Sequence, residues 1–319
     1  MSTILNTDTA SRRAATPRVR TLSELVQDIQ ERLRRHGVAV ADMRRAGSLE
    51  LELVTPSDEP PTSSPLRVVR IEDKPIIARR IAYRNHSRFA WFLDGSQKTL
   101  PVWRIGVVPV VAGISVAGIL HRNRNGEWEL LGDAVRQRLT WIFPLRTGDP
   151  ALERLHDILV DADQQVRDPL EFLIPDSGDL SVYHAHAGHY GKLMFHSRDI
   201  ARNVRSELER DLIRYWDAAF RPAAPDSWLV VDGPLRHNVP NAVGLVKELL
   251  TQHFFGDEAV TLFSLPANHR TSAFRYQDDD AEEDDERTGS ARTMWYQRMW
   301  PADGFDARHA LVRIETGNE

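Results

Sequence analysis

The stretch that decides the fold is Phe89-Ala90-Trp91-Phe92-Leu93-Asp94-Gly95-Ser96, an apolar run that stops at a carboxylate followed by glycine. A second stretch, Trp228-Leu229-Val230-Val231-Asp232-Gly233-Pro234-Leu235, has the same order of residue types. Short apolar runs bounded by glycine or proline are typical of strands buried on both faces, and open α/β sheets carry their functional groups at the ends of such strands. The two stretches therefore predict two strands that end in Asp94 and Asp232.

If these strands are neighbours, their two carboxylates lie at the same edge of the sheet. Crowded carboxylates repel each other unless a proton or a divalent cation lies between them. An Asp-Gly pair is also a common turn dipeptide after a strand, and this explanation suffices for either aspartate taken alone. The repetition of the whole pattern favours a metal site over two unrelated turns.

A third carboxylate is expected from a long helix predicted at residues 197–220. At about 100° per residue, Glu209 lies near the edge of the apolar side of this helix, whereas Glu207 lies well outside it and is expected in solvent. Two strand-end aspartates and a helical glutamate are the hard oxygen ligands that Mn²⁺ or Mg²⁺ requires for two-metal hydrolysis of a phosphodiester. The alternative is an ordinary charged helix face with Glu–Arg pairs. The apolar side is defined by Val204, Leu208, Leu212, Ile213 and Trp216.

The composition limits the possible classes of site and location. The chain has 319 residues and no cysteine, which excludes disulfides, zinc–thiolate sites and iron–sulfur clusters. Residues 1–20 are polar and lack the apolar core of a secretory signal, and the most apolar stretch is too short and too broken to span a membrane. The chain also has no Walker A loop, so that any ATP hydrolysis would need a partner. We expect a cytoplasmic protein with no membrane partner.

The acidic residues are concentrated in one segment. Between Asp278 and Glu286 eight of nine residues are acidic, and without them the net charge of −5 becomes +3. Dense runs of one charge are typical of solvated, disordered loops, which we predict for residues 277–292. A sharper alternative is that the run mimics nucleic acid and covers a basic groove. The overall charge therefore does not exclude a nucleic-acid partner.

The predicted elements indicate an α/β protein with a mixed sheet flanked by helices. Residues 1–20 are expected to be disordered, and Thr21-Leu22-Ser23-Glu24 has the capping-box pattern of a helix that stops at Gly37. Asn123-Arg124-Asn125-Gly126 favours a hairpin turn. The predicted helices are 21–36, 133–140, 150–165, 197–220 and 243–255. The predicted strands are 48–54, 89–94, 102–111, 114–121, 128–131, 228–232, 260–265 and 310–314.

These motifs, taken in order, resemble those of the NurA nucleases. The resemblance covers roughly residues 85 to 315, so that residues 85–319 would form a NurA-like nuclease domain after a helix and strand extension at 21–84. It implies an RNase H-like fold, a homodimer and a Mn²⁺-dependent DNA nuclease. It also implies a HerA-type hexameric ATPase as a partner, in DNA end processing or defence against phage. The resembling segments are 92–96, 205–209, 230–235, 241–247 and 269–274.

The resemblance also implies roles for individual residues. Asp94, Glu209 (or Glu207) and Asp232 would be the metal ligands and catalytic residues. Lys247 and Arg270 would hold phosphate.

One part of the family pattern has no direct counterpart in this sequence. In the family a further segment that includes a histidine is expected after the strand that matches Arg313-Ile314-Glu315, and this chain ends at Glu319. Either another histidine takes its place, with His237 and His309 as the candidates, or the activity is weakened, or a second polypeptide completes the site. The alternative is a catalytically weak or inactive adaptor that docks on the ATPase ring and guides DNA.

Three histidines form a second candidate metal group. His184 and His186 are expected to share a strand face, and His189 would reach them around a glycine turn. No carboxylate partner is evident nearby, and a loop whose imidazoles contact phosphate is the alternative.

Overall fold

The computed structural model describes residues 21–38, 41–42, 67–82, 87–123, 125–171, 180–247, 253–277, 292–303 and 305–317. Within these residues the protein is a mixed α/β structure in which one large mixed sheet is flanked by helices. Among the helices so described, none combines the length and apolar character that crossing a membrane requires. The predicted strand at 48–54, the predicted disordered N-terminus and residues 278–291 of the acidic loop lie outside the described residues.

The elements are numbered in chain order. The helices are Leu22–Arg35 (α1), Pro150–Asp161 (α2), Leu180–Ala187 (α3), Tyr190–Ala219 (α4) and Asp257–Phe263 (α5). The first strands are Ala41–Asp42 (β1), Arg67–Arg70 (β2), Ala78–Arg80 (β3), Phe89–Ile105 (β4), Val108–Arg122 (β5), Trp128–Ile142 (β6) and Gln165–Arg167 (β7). The later strands are Trp228–Asp232 (β8), Ala242–Val246 (β9), His269–Thr271 (β10), Phe274–Gln277 (β11), Thr293–Arg298 (β12) and Leu311–Thr316 (β13).

The centre of the sheet combines parallel and antiparallel pairs. Its strand order is β12-β13-β9-β8-β4-β5-β6. Strands β4, β8 and β9 are parallel to one another, whereas β5, β6 and β13 join through antiparallel pairs. The short strands β2 and β3 pair with β11 and β10, so residues from the predicted extension join the same sheet as the C-terminal strands.

Three long strands replace the four short ones that the sequence predicted. Strands β4, β5 and β6 have 17, 15 and 15 residues and form two consecutive hairpins. The predicted turn at 123–126 is confirmed, since the Asn123 side chain accepts hydrogen bonds from the amides of Asn125 and Glu127, each at 3.0 Å. The helix predicted at 133–140 is wrong. These residues continue β6, because pairing with β5 satisfies their backbone and outweighs local helix preference.

Two further predictions after residue 240 are also wrong. Residues 243–246 belong to strand β9 rather than to a helix, and residues 260–263 belong to helix α5 rather than to a strand. Strand β9 lies between β8 and β13, where its run of apolar residues is covered on both faces. Short apolar runs of this kind fit either element, and the neighbouring strands decide between them.

Other predicted elements are confirmed. Helix α1 has its capping box, in which Thr21 Oγ1 accepts the Glu24 amide at 3.2 Å and Glu24 Oε2 accepts the Thr21 amide at 2.9 Å. Strand β8 has the predicted bounds and β13 lies within two residues of them. Helix α2 begins at the predicted residue but ends at Asp161 rather than at 165, since Gln165 begins β7, and α4 begins seven residues earlier than predicted. Helix α4 packs its apolar side across β4 and β5. Helices α1 and α2 pack on a separate part of the core that contains Trp103 and Trp141.

A buried arginine holds the irregular chain between β12 and β13. Arg298 is 1% exposed, and its guanidinium donates to four backbone carbonyls, of which those of Leu265, Phe263 and Ala307 lie 2.7, 2.9 and 2.7 Å away. The fourth acceptor is the carbonyl of His309. Because no carboxylate takes part, the interaction connects α5 to the β12–β13 segment through neutral backbone groups alone.

We expect Arg298→Ala to lower the free energy of unfolding by about 3 kcal/mol or more, since it empties a buried site and removes the donor of four backbone carbonyls. Arg308→Ala is the matched control, because that side chain is 64% exposed and pairs with Asp306 in solvent; its effect should stay within about 0.5 kcal/mol. Urea denaturation of both variants measures the difference. Equal destabilisation by the two substitutions would contradict the assignment.

Candidate functional site

Two aspartates lie side by side near the middle of the sheet. In the parallel pair of β4 and β8, Leu93 is opposite Val231, so the next residues, Asp94 and Asp232, are neighbours. Leu93 and Val231 are buried in the cluster that packs on α4. Because side chains alternate along a strand, both aspartates project from the other face of the sheet, where both are exposed.

A lysine from the next strand neutralises one member of this pair. Lys247 Nζ lies 2.6 Å from Asp232 Oδ2. Strand β9 places Leu245 opposite Asp232, so that Lys247, two residues further, lies on the same face. Of the two residues predicted to hold phosphate, Lys247 is therefore the one that lies at the aspartate pair.

Glu209 approaches the aspartates from the helix side of the sheet. Its side chain is 5% exposed, and Oε1 lies 3.2 Å from Arg205 Nε. The side chain rests on Gly95, where a methyl group would overlap Glu209 Oε1 and lie 2.9 Å from Arg205 Cγ. The absence of a side chain at Gly95 therefore allows α4 to bring a carboxylate onto the strand beside Asp94.

The charge of Glu209 depends on all its neighbours. Burial raises the pKa of Glu209, the cations Arg205 and Arg236 oppose this shift, and the carboxylates Asp94 and Asp232 add to it. The two aspartates thus act on Glu209 electrostatically even though they lie on the other face of the sheet.

A group of charged residues that the sequence did not single out holds the turn after Asp232. Glu315 on β13 is 2% exposed; it accepts the Leu235 amide at 3.0 Å and lies 2.7 Å from Arg313 and 3.4 Å from Arg292. A buried carboxylate with these partners fixes residues 233–235 against the sheet. The sequence signal that could have identified this group is Glu315 itself, a charged residue in a strand of mainly buried residues. A carboxylate buried there needs a protein partner, because solvent cannot reach it.

The three predicted metal ligands have the donor atoms that the ion prefers, but the structure does not bring all three together. Carboxylate oxygens are the donors that Mn²⁺ and Mg²⁺ prefer. Within the part of the chain that the structure describes, however, no three His, Asp or Glu side chains are close enough to hold a metal ion together. Glu209 faces Arg205 on one side of the sheet, and Asp232 faces Lys247 on the other. Asp94 and Asp232 are therefore the part of the set that is placed for a shared ion.

The alternative glutamate, Glu207, serves another part of the molecule. It accepts a hydrogen bond from Arg138 at 2.7 Å and lies 3.7 Å from Arg167, which connects α4 to β6 and β7. The expectation that Glu207 is solvated is wrong, since only 33% of its side chain is exposed. Of the two glutamates, only Glu209 contacts the strand that carries Asp94.

The second residue predicted to hold phosphate already has a partner. The Arg270 guanidinium donates two hydrogen bonds to Glu72, at 2.8 and 2.9 Å. These bonds lower the pKa of the Glu72 carboxyl, the hydrogen bond from Arg270 being the largest cause. Arg270 thus connects β10 to the turn that follows β2.

The three histidines of the second candidate metal group differ from their predicted arrangement. His184 and His186 lie on helix α3 rather than on a strand, and two residues on a helix are about 200° apart, so they do not share a face. His189 caps α4 by accepting the Lys192 amide at 3.3 Å.

The His309 ring stacks on Phe305 at 4.2 Å between centroids. Burial lowers the pKa of His237, which lies in the segment that follows β8.

No model of a protein family matches this sequence, and no curated protein matches it significantly. The function of this protein is therefore inferred from the geometry of the site and from the ordered motifs of the chain.

We expect Gly95→Ala to lower the free energy of unfolding by about 1–3 kcal/mol, because the new methyl group forces Glu209 and Arg205 to move. Gly132→Ala is the control, since a methyl group there meets nothing within 4 Å. Urea denaturation measures both. In a Glu209→Ala background the cost of Gly95→Ala should shrink, and an undiminished cost would show that Glu209 is not what the methyl group meets.

We expect the stability gained by Glu209→Gln to grow with pH. A carboxyl whose pKa is raised in the folded state binds its proton more tightly there than in the unfolded state. Its favourable contribution is complete below the unfolded pKa and is lost as pH rises through the folded pKa. Glutamine does not titrate, so the variant should gain stability relative to the wild type as pH increases from 4 to 8. Urea denaturation across this range tests the sign, and a difference that falls with pH contradicts it.

Proposed function

We propose that this protein is a divalent-metal-dependent DNA nuclease of the NurA type. The observation that carries the proposal is the parallel register of β4 and β8, which makes Asp94 and Asp232 neighbours on one face of the sheet. Two adjacent exposed carboxylates, one of them paired with a lysine that follows the neighbouring strand β9, suit a site that binds a cation and a phosphate together. The ordered resemblance of the motifs to NurA nucleases adds support.

The topology of the central sheet supports an RNase H-like arrangement. Three antiparallel strands, β4 to β6, are followed by helices including α4, and then by β8 and β9, which add in parallel on the far side of β4. This order places the first and fourth of these strands side by side. The two aspartates stand on those two strands.

In this proposal each residue of the site has a defined task. Asp94 and Asp232 would hold the Mn²⁺ or Mg²⁺, and Glu209, on the helix face, would act on them through its charge and not as a third ligand. A bound ion would supply Lewis-acid activation of water and would stabilise the leaving oxygen. Lys247, which pairs with Asp232 in the structure, would hold a phosphate oxygen of the DNA backbone. Arg205 and Arg236 limit the cost of keeping Glu209 buried, because both favour its ionised form.

The proposed partners follow from the resemblance and from the composition. DNA is the substrate, and a homodimer working with a HerA-type hexameric ATPase is the proposed assembly. The sequence has no nucleotide-binding loop of its own, and outside its acidic run it carries a net positive charge.

We expect the purified protein to degrade linear DNA with Mn²⁺ and to lose this activity with a chelator. Asp94→Asn and Asp232→Asn should each lower the rate by about 100-fold or more, since each removes a charge that holds the ion. Asp211→Asn is the control, because that side chain is 51% exposed on α4 and pairs with Arg214. Gel assays of DNA length over time measure the rates. Equal degradation by the wild type and both site variants would refute the assignment.

A catalytically weak or inactive adaptor is the second candidate. The observation that favours it is the ion pairing of the site, where Glu209 and Asp232 each already have a cationic partner. Titration calorimetry with Mn²⁺ separates the two functions. A nuclease should bind Mn²⁺ in a manner that Asp94→Asn and Asp232→Asn abolish, whereas an adaptor should show no uptake that depends on these carboxylates.

A further inference from the structure

A strip of apolar and aromatic side chains runs beside the aspartate pair on the same face of the sheet. Phe92 stands two residues before Asp94 on β4 and is therefore on its face. The register continues this face outward, with Phe92 opposite Leu120 on β5, Leu120 opposite Leu130 on β6, and Arg122 opposite Trp128. We call these five residues the outer strip: Phe92, Leu120, Arg122, Trp128 and Leu130.

The outer strip is exposed to an unusual degree for its composition. Trp128 is 52% exposed, Leu130 is 62% exposed and Leu120 is 39% exposed. The Phe92 and Trp128 rings meet edge to face at 4.7 Å, and the Arg122 guanidinium lies 5.9 Å from the centre of the Trp128 ring. The second ring and the arginine fix the orientation of this exposed tryptophan, which can therefore stack on a flat ligand.

The charges around the outer strip complement a polyanion. Arg122 lies at its far end, and Lys98, which is exposed, stands four residues after Asp94 on the same face of β4. Lys247 lies beside Asp232. A chain of phosphates that follows this face would therefore meet cations on both sides of the aspartates.

We propose that the outer strip stacks the bases of an unpaired nucleic-acid strand and so leads its backbone across Asp94 and Asp232. Bases in a duplex are covered by their neighbours, whereas an unpaired strand offers the free ring faces that Trp128 and Phe92 can stack on. This inference rests on the proposed function for its substrate class, and it adds the preference for single-stranded ends. A protein partner would not need the flanking cations.

The test is the affinity of the full chain for a fluorescently labelled oligothymidine, measured by anisotropy with a chelator present so that no cleavage occurs. Trp128→Ala should weaken binding about tenfold, and Trp128→Phe should retain most of the affinity, because it keeps a stacking ring. Trp300→Ala is the matched control, since Trp300 is 64% exposed and lies outside the outer strip; it should change affinity by less than about twofold. Leu130→Gln, which removes apolar surface but no ring, should have an intermediate effect.

Three results would overturn the proposal. They are the absence of oligothymidine binding by the wild type, equal effects of Trp128→Ala and Trp300→Ala, and unchanged affinity in Trp128→Ala. If Trp128→Ala instead reduces the sedimentation coefficient of an oligomer and leaves the affinity intact, the outer strip is a contact between copies of this chain.

The outcome is separable from that of the nuclease assay. If DNA cleavage does not depend on Asp94 and Asp232 but Trp128→Ala still weakens binding, the nuclease assignment fails and the outer strip stands. If cleavage depends on both carboxylates and Trp128→Ala binds like the wild type, the outer strip alone is wrong.

Discussion

The parallel pairing of β4 with β8 is the constraint on which the rest of the site depends. Parallel neighbours place residues of equal register on the same face, so Leu93 beside Val231 makes Asp94 and Asp232 adjacent. A shift of one residue would send one of the two carboxylates to the helix face. The register is secured by the apolar residues on that face, because Leu93 and Val231 are both buried under α4.

The sheet divides the charged residues of the site between its two faces. Glu209 lies on the helix face over Gly95, together with the cations that offset its burial, and the two aspartates lie on the open face. The carboxylates therefore influence one another through the strand without sharing one coordination sphere. Glu209 pairs with Arg205, and Asp232 pairs with Lys247. Each pair forms because a buried or crowded carboxylate is stabilised by a nearby cation.

The same alternation of side chains places the outer strip on the face with the aspartates. Phe92 alternates with Trp91 and Leu93, which are buried under α4, so Phe92 and its neighbours on β5 and β6 lie on the face opposite α4. Long hairpins that leave an apolar face in solvent cost free energy unless the face has a ligand or a partner. Because this face lies next to Asp94, a ligand bound on it would also lie beside the aspartate pair.

The sequence by itself determined the strands that carry Asp94 and Asp232, the capped helix α1, the turn at 123–126 and the α/β class, because each follows from short-range patterns of apolar, capping and turn residues. It also placed Glu209 nearer the buried side of α4 than Glu207. Only the tertiary structure decided that 133–140 is a strand and that β9 is not a helix, since the backbone partners of those segments are distant in the chain. Tertiary structure likewise decided which cation meets which carboxylate and on which face of the sheet each lies, because ion pairs such as Lys247–Asp232 and Arg138–Glu207 join segments that are distant in the sequence.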